Sequence, residues 1–192
     1  MEMPLHLNKP GIRALGVAES FRQGRRRSIL AGVVMRSDFV IDGVAVGRTS
    51  VGGDDATASI ASLFRRFHRN DINLIMVSGA ILSLYNIIDV DGLASRAKLP
   101  VICLTYKETA GIEGSIRRHF PKGAQAKLEA YRRLGKRSAI RLKTGHTVYV
   151  RASGIEKEEV RSVIDAFTLQ GSIPEPVRVA KLLARAAQPR GA

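Results

Sequence analysis

Two adjacent carboxylates, Asp54 and Asp55, stand where the Gly-rich turn Val51, Gly52, Gly53 runs into the amphipathic stretch ATASIASLFRRFHR. Two chemistries suit that corner. An aspartate just before a helix accepts hydrogen bonds from free backbone N–H groups and meets the positive end of the helix dipole. A carboxylate held at a rigid corner also ligates a hard cation, provided that further oxygen ligands converge on it. Asp54 is expected to cap the helix, and Asp55 is left with either a metal or a structural role.

Other reactive residue types do not assemble into a familiar constellation. His6, His68, His119 and His146 lack the spacing of metal ligands, and the single Cys103 lies in the apolar run LPVICLTY, which suits a core residue better than a zinc ligand. Ser78 precedes Gly79 without the Gly-x-Ser-x-Gly elbow of a hydrolase, and VGGDDAT lacks the Gly-Lys-Ser/Thr ending of a phosphate-binding loop. The cations offer two readings each. Arg25, Arg26 and Arg27 form either a phosphate-tracking loop or a solvated turn, and Arg178 either contacts phosphate or pairs with Glu175 three residues earlier.

Composition limits what these residues serve. A chain of 192 residues with 45% hydrophobic content supports one well-buried domain over 1–192, with residues 1–11 expected as a loosely ordered tail. No apolar run approaches the roughly 20 residues that span a bilayer, so a cytoplasmic protein without a membrane partner is expected. Lys and Arg number 31 against 17 acidic residues, a net charge of +14, which favours a polyanion partner through phosphate neutralisation. The absence of tryptophan argues against a stacking platform for single strands.

The elements that must position these groups can be read from periodicity. Residues 12–20 read as a buried strand, and 28–36 and 40–51 as an antiparallel pair joined near Ser37 and Asp38. Ile60, Leu63, Phe64 and Phe67 lie at helical spacing after the GGDD turn. The continuous apolar run 72–80 suits a central strand covered on both faces. A helix over 86–98 and a strand over 99–107 complete a parallel crossover, which is right-handed in nearly all proteins. Residues 111–134 read as helical with a break at Pro121 and Gly123, and 139–143 and 147–152 as a hairpin. Two helices close the chain, from Glu156 and from Pro174. Three meander strands, then helix, strand, helix and strand, make a mixed α/β sheet in the order of the ribonuclease H-like architecture.

The segments GSIPEPVRVAKLLARA, DDAT and NIIDVDGLASRAKLPVICLTYK together resemble the archaeal endonuclease dU family, relatives of endonuclease V. The resemblance runs from about Ile12 to Ala186. It implies a single-domain, endonuclease V-like mixed sheet flanked by helices, and metal-dependent cleavage of DNA near deaminated bases, with deoxyuridine as the lesion. It places Glu19 and Asp55 at catalytic, metal-ligating positions and Lys107 near the scissile phosphate. Magnesium or manganese would be the cofactor of an active enzyme. Nucleic acid, DNA in particular, is the implied partner, contacted by Arg25, Arg26, Arg27, Lys107 and Arg178.

Four positions depart from the family pattern. Ala18, Gly52, Ala58 and Ser78 stand where that pattern is acidic, and Ala18, Gly52 and Ser78 are expected in one pocket with Asp55. Three readings stay open at this point: a family-type nuclease, a catalytically silent binding or protein-interaction module on the same scaffold, or a relocated site drawing on Glu19, Asp55, Asp38 or Asp42.

Overall fold

The computed structural model describes residues 11–108 and 111–189; the expected tail falls almost wholly outside them. Three antiparallel strands open the chain: β1 (Arg13–Ser20), β2 (Arg27–Arg36) and β3 (Ile41–Ser50). Helix α1 (Ala56–Arg65) leads to β4 (Leu74–Ser78), which lies parallel to β1. A small hairpin of β5 (Ile81–Leu82) and β6 (Asn86–Ile87) precedes α2 (Val90–Ala97) and β7 (Val101–Thr105), parallel to β4. Then come α3 (Glu113–His119), α4 (Ala124–Arg133), the hairpin β8 (Ser138–Arg141) and β9 (Thr147–Ser153), α5 (Lys157–Ala166) and α6 (Glu175–Ala186). The seven-stranded sheet runs β3-β2-β1-β4-β7-β9-β8.

Strand alternation sends side chains into two cores. Leu15 and Val17 of β1 and Ile75 and Val77 of β4 pack beneath α1 and α2. On the opposite face Leu74, Met76, Ile102 and Leu104 meet Val163, Phe167 and Val177 from the closing helices and the turn between them. Ala18 lies on that second face under Ala180 of α6. Strand β2 is buried at every internal position because both faces are covered, whereas the edge strand β3 leaves Val44 and Val46 exposed. Gly16 explains how closely α6 approaches: a Cβ there would stand 2.2 Å from the Pro176 backbone.

Two local expectations change. Residues 86–98 do not form one helix, because Asn86 and Ile87 pair with Leu82 and Ile81. The helix starts at Val90, where the Asp89 carboxylate accepts the Gly92 N–H at 2.9 Å. Asp54 does not cap α1. Asp55 holds the N-cap position, yet its side chain makes no cap bond, and the Ala56 N–H instead donates to Asn86 Oδ1 at 3.0 Å.

Candidate nucleic-acid interface and the carboxylate network

Asp55 turns its carboxylate back toward the end of β3. It accepts hydrogen bonds from the Thr49 hydroxyl (2.8 Å), the Ser50 N–H (3.0 and 3.1 Å), the Ser50 hydroxyl (2.9 Å) and the Asn86 amide (2.7 Å). Burial alone would raise the carboxyl pKa, but these donors together outweigh it and hold Asp55 at about 2. Glu19, at the end of β1, accepts the hydroxyls of Ser28 and Ser83 and the Ser83 N–H at 2.8 Å. Ser28 also reaches the Thr49 carbonyl at 3.4 Å, so Glu19 and Asp55 belong to one network on the α1 face.

The remaining positions of that expected pocket separate. Val17 pairs with Val77, which sets Ala18 beside Ser78 on the α6 face, across the sheet from Asp55. Gly52 stays with the Asp55 side, against Leu84 and Phe120. Asp42 is bound to Arg13 at 2.6 Å at the start of β3, and Asp38 pairs with Arg36 at that same end. The eight residue steps from Asp42 to Ser50 span roughly 26 Å of strand. A relocated centre combining either of them with Asp55 is therefore ruled out by distance.

A hydrated divalent ion does not fit this donor set. The Asp55 and Glu19 oxygens already accept protein N–H and O–H groups, and no cluster of three metal-ligating side chains occurs among the described residues. Magnesium binding would have to displace four donors from Asp55 and draw on further carboxylates that no cluster among the described residues supplies.

Residues that sequence reasoning missed hold this corner together. Asn86 is fully buried and donates to Thr49, Ser50 and Asp55 while accepting from Ala56. Lys127 of α4 is also buried: its ammonium donates to the Gly53 and Tyr85 carbonyls and to Asp54, and lies 4.7 Å from the Phe120 ring centre. Asp54 is thus a partner of Lys127 rather than a helix cap. The only hint of Lys127 in the sequence is a lysine beside Leu128 on the inward side of an amphipathic helix.

The candidate cations occupy the surface. Arg25, Arg26 and Arg27 are exposed at the β1–β2 turn. Arg27 also lines a concavity of about 510 Å³ with Arg48 of β3 and Arg66 after α1, and no carboxylate contributes to its wall. A larger cleft of about 620 Å³ beside α2 and α4 balances Asp54, Asp89 and Asp91 against Arg96, Arg133 and Arg151. Only the first of these two has the charge to hold a polyphosphate strand. Lys107 is exposed just beyond β7, and Arg178 pairs with Glu175, its Nε at 3.0 Å.

Residues 10–188 match the family described as Endonuclease dU. A UPF0215 protein of Pyrobaculum aerophilum is 34% identical over 175 residues, 91% of this chain and 93% of its own. A structure of a protein of unknown function from Archaeoglobus fulgidus superposes with a TM-score of 0.76 at 22% identity, covering 93% of this chain and 98% of that one. Endonuclease V of Ciona intestinalis, solved with a 24mer DNA containing an inosine followed by a ribo-adenosine, gives 0.57 at 12% identity over 92% and 85% of the two chains.

Proposed function

Because the chain belongs to the endonuclease dU family, we propose that it is a nucleic-acid-binding protein on an endonuclease V-like scaffold, DNA being the expected form, and that it binds without a resident metal at Glu19 and Asp55. One observation carries this reading. Both carboxylates accept hydrogen bonds from the protein, Asp55 from Thr49, Ser50 and Asn86, and Glu19 from Ser28 and Ser83. They work as fasteners that tie the ends of β1 and β3 to the β5–β6 hairpin. The arginine-lined concavity and the turn at Arg25, Arg26 and Arg27 then supply the phosphate contacts, with Lys107 as a further contact at the end of β7.

The test is a nicking assay on uracil- and hypoxanthine-containing duplexes with magnesium or manganese, run beside a binding assay. Duplex binding without metal-dependent nicking is expected. Nicking that requires metal and disappears in Asp55→Ala would overturn the reading and restore Asp55 as a catalytic ligand.

A further inference from the structure

Three parallel strands run side by side to one edge of the sheet: β1 past Ala18 to Ser20, β4 to Ser78, and β7 to Thr105, just before Tyr106. In open α/β sheets, ligands bind in the crevice beyond such carboxyl ends. Here Ala18 and Ser78 are uncharged neighbours on the α6 face. A cation stands next to them instead. Lys181 of α6 places its ammonium 4.6 Å from the centre of the Tyr106 ring, with Ser78 beside the Tyr106 phenol.

This ammonium is under-compensated. Lys181 makes no ion pair among the described residues. Burial, and then Arg185 one turn further along α6, push its pKa below the ordinary lysine value. Tyr106 cannot supply the missing charge, since burial raises its phenol pKa and keeps it neutral. Its hydroxyl is buried, and Ser78 is the polar group beside it. The aromatic face fixes the lysine by a cation–π contact, and that contact leaves ammonium N–H donors for an anion. Lys107, exposed immediately after Tyr106, adds a second positive charge at the same edge.

We propose that Lys181, seated on Tyr106 and flanked by the Ser78 hydroxyl, forms a metal-independent site for one backbone phosphate of a bound nucleic acid. A fixed ammonium supplies the positive charge at this uncharged edge. This inference rests on the nucleic-acid-binding reading above. Lys181 is the contacting group, and Tyr106 is a positioning residue that acts through it.

Amine acylation footprinting of the full chain, with and without a saturating 20-base-pair duplex in EDTA, separates the two claims. Lys181 should become several-fold less reactive in the complex, while Lys98, at the end of α2 on the other face, keeps its reactivity. Lys181→Gln should weaken duplex affinity several-fold and flatten the salt slope by about one ion, whereas Lys181→Arg should keep most of both. Melting temperatures of both variants are checked against the parent. A bound duplex with Lys181 unprotected, or an unchanged salt slope in a folded Lys181→Gln, would overturn this site alone. Failure of the parent to bind any duplex would overturn the nucleic-acid reading itself, and this site with it.

Discussion

Asp55 is where a metal ligand and a structural anchor are hardest to tell apart, and its partners decide. A partly buried carboxylate that accepts four donors stabilises the folded state only while ionised. Its pKa lies near 2 in the fold against an ordinary 3.8, so this stabilisation is complete above about pH 4 and is lost as pH falls through 2. Asp55→Asn, which sets an amide against those donors, should cost about 1–3 kcal/mol at pH 7. Urea unfolding of parent and variant should show the difference shrinking between pH 4 and pH 2. Asp71, also held near 2 beside Arg69, is present in both proteins and cancels from that difference. A gap independent of pH would show that the charge of Asp55 is not what the network uses. The two carboxylates themselves were legible in the sequence. Their saturation was not, since Asn86 comes from 31 residues away and Ser83 from 64. No local pattern reports such partners.

At the scale of elements, helix α6 depends on one glycine. The motif Leu15, Gly16, Val17 brings the β1 backbone against Pro176 and Val177, and no side chain fits between them. Gly16→Ala should destabilise the protein by about 1–3 kcal/mol through overpacking, read from the urea midpoint. Gly114→Ala in α3, where an added methyl meets nothing within 4 Å, should be neutral or stabilise by up to about 1 kcal/mol. Equal costs at the two positions would contradict the close-approach argument. Strand and helix order was readable because apolar runs and 3.6-residue spacing report burial directly. The expectation failed at 86–98, where the apolar residues Ile87 and Ile88 fit a helical stretch as well as a short strand. It failed again at Asp54, where Lys127 of a later helix decides the outcome. Both failures are cases of tertiary partners overriding local preference.

For the whole molecule the governing quantity is charge. The excess of 31 Lys and Arg over 17 acidic residues includes the turn at Arg25, Arg26 and Arg27, the concavity of Arg27, Arg48 and Arg66, and the edge at Lys107 and Lys181. Composition announced a polyanion partner, but Arg48 and Lys181 drew no notice because one sits in an edge strand and the other in an ordinary amphipathic helix. Charge reversal in the concavity, Arg48→Glu with Arg66→Glu, should weaken duplex binding at least tenfold, because two phosphate contacts are lost and two repulsions added. An unchanged affinity would remove that surface from the interface.

The most direct measurement is the affinity of the full chain for a fluorescent duplex as sodium chloride rises, in EDTA and again in magnesium. Binding in EDTA that weakens steeply and linearly in log–log form is predicted, with magnesium acting only as an additional competing cation. Binding that is absent in EDTA even at low salt, appears with magnesium or manganese, and is lost in Asp55→Ala would contradict the central claim that this chain holds nucleic acid without a metal at Glu19 and Asp55.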